Sequence, residues 1–183
     1  MTNIVFAGFG GQGVLTAGLI VAKTGMDLDK HVIWIPSYGS EMRGGTANCN
    51  VKISDDEIAS PFIKEIDVLL ALNSPSVDKF ENMVRPGGVM IINSSIIEET
   101  EFRSDINVYS LAATEIAAEL GNARGTNIAM IGALAKTGLL FSKAETGEGI
   151  ENFFAMKNKN NPKNKACFES GFEKTEEIQK AII

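Results

Sequence analysis

Two glycine-rich stretches hold the residue types best able to meet a ligand. The first is Gly8-Phe9-Gly10-Gly11-Gln12-Gly13, set between the apolar run Ile4, Val5, Phe6, Ala7 and the apolar segment 14–22. This reads as strand, tight turn and helix. The first N–H groups of such a helix have no partner within it and point toward the turn, where they favour a phosphate or carboxylate. The second stretch, Ser37-Tyr38-Gly39-Ser40-Glu41-Met42-Arg43-Gly44-Gly45, follows the second predicted strand. Its Arg43 could fork onto a phosphate or carboxylate, and Tyr38 could stack and hydrogen-bond. An internal Glu41–Arg43 ion pair beneath an exposed loop fits the same residues equally well.

Gly8, Gly10 and Gly13 match the G-x-G-x-x-G spacing of dinucleotide sites. That chemistry also needs an acidic residue roughly 20 positions on, at the end of the second strand, to hold a ribose hydroxyl. Here the second strand, 32–35, ends in Pro36-Ser37-Tyr38 without a carboxylate. The fingerprint is incomplete. A phosphate or partner contact at the helix N-terminus and simple close packing of strand on helix both remain open. His31, the single histidine, has no Ser, Cys or metal-ligand pattern around it and reads as a surface residue. Cys49 and Cys167 form no C-x-x-C pair, so they read as reduced packing residues and not as cluster or zinc ligands.

The elements that position these loops form an alternating α/β pattern. After the first helix and the second strand, residues 46–53 alternate apolar and polar, the mark of a half-exposed strand near a sheet edge. Runs 68–72 and 89–92 are continuously apolar, as buried strands are. Between them, Asn73-Ser74-Pro75 supplies a cap and a first-turn proline for a helix reaching toward Arg85. A strand over 107–111 and a helix over 113–120 follow. Residues 127–140 read as a helix apolar on nearly every face, and Ser142 with Glu145 as the capping box of another through Phe154. Residues 156–165 read as a solvated polar linker. Phe168, Phe172, Thr175 and Ile178 recur at helical spacing and predict a closing helix. The expected fold is a single three-layer Rossmann-like domain over 1–183, its mostly parallel sheet carrying helices on both faces and an edge strand. Loops past the carboxyl ends of such strands bind ligands, which would set the two glycine stretches side by side.

At 183 residues, 44% hydrophobic and 22% charged, the chain can bury one substantial core. Net charge −6 gives no basic field for nucleic acid. Neither a signal peptide nor a run of about 18 apolar residues is present, so a membrane role is not expected and a cytoplasmic location is. The helices 14–22 and 127–140 have apolar surface on more than one side. Part of it is expected to lie against another chain, or in isolation against a second copy.

Taken together, the two glycine stretches, Ser60-Pro61, the 127–140 region and Cys167-Phe168-Glu169-Ser170-Gly171-Phe172 resemble the gamma subunit of 2-oxoacid:ferredoxin oxidoreductases over nearly the whole chain. The Ser-Tyr-Gly-Ser-Glu-Met-Arg-Gly-Gly wording is most similar to the 2-oxoglutarate and branched-chain 2-oxoisovalerate members. The resemblance implies a component of an enzyme that decarboxylates a 2-oxoacid oxidatively with coenzyme A, passing electrons to ferredoxin. It implies thiamine diphosphate, Mg and iron–sulfur clusters in alpha, beta and delta-type partner subunits and none bound by this chain alone, which has neither a Gly-Asp-Gly motif nor clustered cysteines. No catalytic or metal residue is then expected in the chain itself. The loops would face the thiamine and coenzyme A region through Gly8, Gly10, Gly11, Gln12, Gly13, Ser37, Tyr38, Gly39, Glu41, Arg43 and Gly44. Two rival readings stand beside this one: a Rossmann-like nucleotide-binding enzyme acting alone, and a purely scaffolding subunit.

Overall fold

The structure, a computed structural model, describes residues 1–38, 46–98, 101–159 and 161–182. Seven strands form one sheet in the order β2-β3-β1-β4-β5-β6-β7. They are β1 (Thr2–Phe9), β2 (His31–Tyr38), β3 (Thr46–Ser54), β4 (Ile66–Ala71), β5 (Val84–Asn93), β6 (Asn107–Leu111) and β7 (Glu176–Gln179). β1, β4, β5 and β6 run parallel, while β3 lies antiparallel between β1 and β2, and β7 lies antiparallel on β6.

The central strands are apolar on both faces because both are covered. Ile4, Phe6, Val68, Leu70 and Ile91 point to one core and Val5, Ala7, Leu69, Met90 and Ile92 to the other. The first core is roofed by α1 (Val14–Asp27), α3 (Ala113–Glu119), α4 (Thr126–Lys136), α5 (Lys143–Met156) and α6 (Pro162–Lys174). The second lies under α2 (Ser74–Phe80) and the segments that bring Ile97 and Ile106 inward. β3 has the expected alternation, with Cys49, Val51 and Ile53 in the first core and Lys52 on the opposite face. Lys52 is buried and its ammonium donates to the Ser60 and Phe62 carbonyls at 2.7 and 3.1 Å, which pins the segment after β3 beneath the sheet.

The local signals for caps operate as read. Asn73 Oδ1 accepts from the Ser76 N–H at 3.0 Å, and Ser142 and Glu145 form a reciprocal capping box. Several boundaries differ. α4 ends at Lys136, because Thr137 turns its hydroxyl back to the Leu134 carbonyl and Gly138 takes φ +66°. The helix after Pro75 stops at Phe80, and β5 starts at Val84. The polar linker is shorter than expected, since Asn161 caps α6, which begins at Pro162. The closing helix also stops early. Thr175 donates to the Gly171 carbonyl at 2.5 Å and the backbone then extends, so residues 176–179 leave the helix and pair with β6. Helical spacing of Thr175 and Ile178 was therefore coincidental, and sheet pairing outweighs it. α4 is enclosed within the chain: every residue from Thr126 to Ala135 is buried, with α6, α3 and α5 against it. The surplus apolar surface expected of this helix does not arise.

Candidate functional site

In an open α/β sheet, ligands enter where successive connections leave in opposite directions. That point lies between β1 and β4, since β1 connects through α1 toward β2, and β4 connects through α2 toward β5 on the other side. The first glycine loop sits there, and Gln12 fills the crevice. Its Oε1 accepts from the Phe9 N–H at 2.6 Å and from Asn73 Nδ2 at 3.4 Å. Its Nε2 donates to the Leu72 carbonyl at 3.2 Å. Gly8 permits this closure: a methyl group there would come within 2.6 Å of Gln12 Oε1 and 2.8 Å of Val14. The side chain of Gln12 is thus spent on joining two strand ends, while the backbone of Gly10, Gly11 and Gly13 forms the outer surface of the turn.

Gly13 is the N-cap of α1 at φ +77°. A β-carbon there would meet Asn127 Nδ2 at 2.7 Å, and that amide donates to the Gly13 carbonyl at 3.1 Å. Asn127, in the first turn of α4 and buried, thereby fixes the start of one helix against the start of another.

A groove of about 680 Å³ opens over these two helix starts. Gly11, Gly13 and Thr16 line one side, Thr126 and Asn127 another, and Arg124, Lys157 and Lys159 the rim. Ile96, Ile128 and Phe154 give it an apolar wall. Among the described residues no carboxylate lines it. Residue types and spacing had marked 127–140 only as core and the lysines of 156–165 only as solvated. The available signal was Gly125-Thr126 opening a helix with no acidic residue in its first turn.

Ser37 is exposed near the end of β2. Tyr38 pairs with Ala47, and Thr46 with Phe9, so both ends flanking the second stretch lie at the same sheet edge as the first. Gly39, Glu41, Arg43 and Gly44 lie outside the described residues, as does the expected Glu41–Arg43 pair. The dinucleotide fingerprint fails for a structural reason as well. Antiparallel β3 separates β2 from β1, so the strand end that would hold a ribose is displaced from the glycine turn.

Cys49 and Cys167 are both buried. Burial pushes the Cys49 thiol up to about 12, and Cys167 rises for the same reason. Among the described residues no group of three or more His, Cys, Asp or Glu is placed to hold a metal ion. Buried neutral thiols and the lack of clustered ligands do not fit an iron–sulfur cluster or a metal-bridged diphosphate held by these residues. No helix among them is long and apolar enough to cross a membrane.

A glycine turn is thus braced at the carboxyl edge of an α/β sheet and faces a groove rimmed by cationic side chains. Comparison with known proteins gives the family. Residues 3–174 match the model of pyruvate ferredoxin/flavodoxin oxidoreductase, and the chain belongs to that family. Ketoisovalerate oxidoreductase subunit VorA of Methanothermobacter thermautotrophicus is 38% identical over 172 residues, covering 93% of this chain and 36% of that protein. The VorA of Methanothermobacter marburgensis is likewise matched over only 28% of its length. The chain thus spans about a third of these longer relatives. By contrast, the 2-oxoglutarate synthase subunit KorC of Methanocaldococcus jannaschii is 30% identical, with 96% of this chain and 95% of that one aligned. Among solved structures, a keto/oxoacid ferredoxin oxidoreductase gamma subunit from Geobacter sulfurreducens superposes with a TM-score of 0.77 at 27% identity, covering 94% and 97% of the two chains. The 2-oxoglutarate:ferredoxin oxidoreductase of Magnetococcus marinus, solved with 2-oxoglutarate, coenzyme A and succinyl-CoA, shares the fold with a TM-score of 0.79 at 22% identity over 30% of its length.

Proposed function

We propose that residues 1–183 form the gamma component of a 2-oxoacid:ferredoxin oxidoreductase, acting on 2-oxoglutarate or a branched-chain 2-oxoacid. The observation that carries this reading is the end-to-end match to KorC subunits. Partner subunits of alpha, beta and delta type supply thiamine diphosphate, magnesium and iron–sulfur clusters, and ferredoxin takes the electrons. Such a complex converts the 2-oxoacid and coenzyme A to an acyl-CoA and carbon dioxide in the cytoplasm. Thiamine diphosphate, when bound in a partner, supplies the electron sink for decarboxylation. This chain's own contribution is positional. The N–H groups of Gly10, Gly11 and Gly13, together with Arg43, would offer an anion site for a phosphate of coenzyme A or a carboxylate held by the partners, the Gln12 N–H being taken by the Phe9 carbonyl at 3.2 Å. Gln12 keeps that turn in one shape, so the donors need no rearrangement when the anion arrives.

The test is coexpression with partner chains bearing a Gly-Asp-Gly motif and ferredoxin-type cysteine runs. Copurification, and coenzyme A-dependent reduction of a viologen dye by 2-oxoglutarate or 2-oxoisovalerate that requires this chain, is the expected result. A complex that forms and turns over equally well without it would overturn the proposal.

A further inference from the structure

Phe62, 76% exposed, is the one fully solvent-facing phenylalanine among the described residues, and it lies in the segment 55–65 between β3 and β4. It is also held still. Buried Lys52 donates to the carbonyls of Ser60 and Phe62 at 2.7 and 3.1 Å, and Pro61 between them fixes its own φ. A ring mounted on backbone so constrained loses little freedom on entering a pocket, which is the property of an interface anchor.

The sheet beside it is open. Ile33 lies directly across from Lys52 in the β2–β3 register, so Ile33 and Ile35 stand on the same face of the sheet as the Lys52 ammonium. Both isoleucines are half-buried, and they belong to neither core. α2, the helix on that face, packs over β1 and β4 instead.

Charge identifies what covers this face. Asp56, Glu57 and Glu65 are exposed on the same segment, and none pairs with a cation among the described residues, whereas Asp55 is taken by Lys30. Lys64 is the single cation between residues 55 and 65. A second copy of the chain, meeting this one about a twofold axis, would set the same unpaired carboxylates against each other. A different chain whose apolar pocket is bordered by lysine or arginine complements them.

We infer that Phe62 docks this chain on another subunit of its enzyme, entering an apolar pocket rimmed by lysine or arginine side chains. The contact holds the assembly together and takes no part in the chemistry: segment 55–65 runs from the end of β3 to the start of β4, at the sheet edge opposite the glycine turn that follows β1. The inference rests on the proposed function, since it needs a partner subunit.

The experiment uses the complex assembled by coexpression, diluted in steps and followed by mass photometry to give a dissociation constant for this chain. Phe62→Ser should raise that constant about 30-fold or more, and Phe62→Leu, which keeps an apolar anchor, by less. The Tm of the isolated chain should not move, because the ring is exposed. Leu139→Ser, at an exposed apolar position elsewhere, should leave association unchanged, which separates a local anchor from general loss of apolar surface. Reversing Glu57 and Glu65 together to Lys should raise the constant about ten-fold at low salt and by less at about 0.5 M salt, where rim charges are screened. At concentrations that keep the complex whole, Phe62→Ser should turn over with the wild-type kcat. A dissociation constant unmoved by Phe62→Ser or by the double charge reversal overturns the inference and leaves the subunit reading standing. A homodimer of the wild-type chain that Phe62→Ser dissolves also overturns it, by making the occupant a second copy. Failure of any partner to copurify with the wild-type chain brings down the subunit reading and this inference with it.

Discussion

Replacing Gln12 by Met keeps length and volume but removes the contacts that join β1 to β4. Three hydrogen bonds are lost: the short one from the Phe9 N–H at 2.6 Å, that to the Leu72 carbonyl at 3.2 Å and the long one from Asn73 at 3.4 Å. A net bond contributes about 1 kcal/mol, and a donor left partly buried costs more. Water can reach this half-buried position, and Asn73 keeps its cap on Ser76, so the long bond adds little. The sum is about 2 to 3 kcal/mol. For a chain of this length each kcal/mol shifts Tm by about 2–4 °C, so scanning calorimetry should show a fall of roughly 4–12 °C. A double-mutant cycle with Asn73→Ala should give a coupling well below 1 kcal/mol, because the shared bond is long. A Gln12→Met chain whose denaturant midpoint and Tm match wild type would refute the claim that this amide holds the turn.

Four further outcomes are expected. Gly13→Ala should cost about 1–2 kcal/mol in urea unfolding, from positive φ and collision with Asn127, and pairing it with Asn127→Ala should recover the collision part but not the strain. Lys52→Met should leave the Ser60 and Phe62 carbonyls unpaired and raise proteolysis in the segment after β3, read by limited digestion and mass spectrometry. Neither cysteine should react with a thiol reagent at pH 8 until denaturant is added, when both should, since burial holds each thiol protonated. Bonds from Ser142 hold the Glu145 carboxyl below its ordinary range, so its contribution is complete above the unfolded value of about 4.3 and is lost as pH falls through the lower folded value; Glu145→Gln should flatten the acid limb of a stability-against-pH curve.

What could be read from residues alone tracks how local the cause is. The Asn73 and Ser142 caps, the buried runs of β4 and β5 and the turn at Gly8 to Gly13 all rest on neighbours within a few positions. Insertion of β3 between β1 and β2 could not be read, since alternation shows a strand half-exposed but not its partners. β7 was missed because pairing to β6, far away in sequence, overrides helical spacing at Thr175 and Ile178. At the site, the glycine turn was legible as a unit. The inward aim of Gln12 was not, because its partners Leu72 and Asn73 come from another strand end. Arg124 and Thr126, neighbours at the start of α4, meet Lys157 only after α5 packs, so no spacing rule announces the three together.

The enclosure of α4 has a consequence for how the protein is made. During synthesis this apolar helix is complete well before α6, which closes over it through Gly171, whose missing side chain lets it lie against the Ala129 backbone. Until residues past 171 have left the ribosome, a greasy cylinder of some ten residues has no lid. Chains stalled or cut before Pro162 should therefore be captured by holding chaperones or degraded, and fusions that hinder the last helix should fail by aggregation and not by loss of the glycine turn.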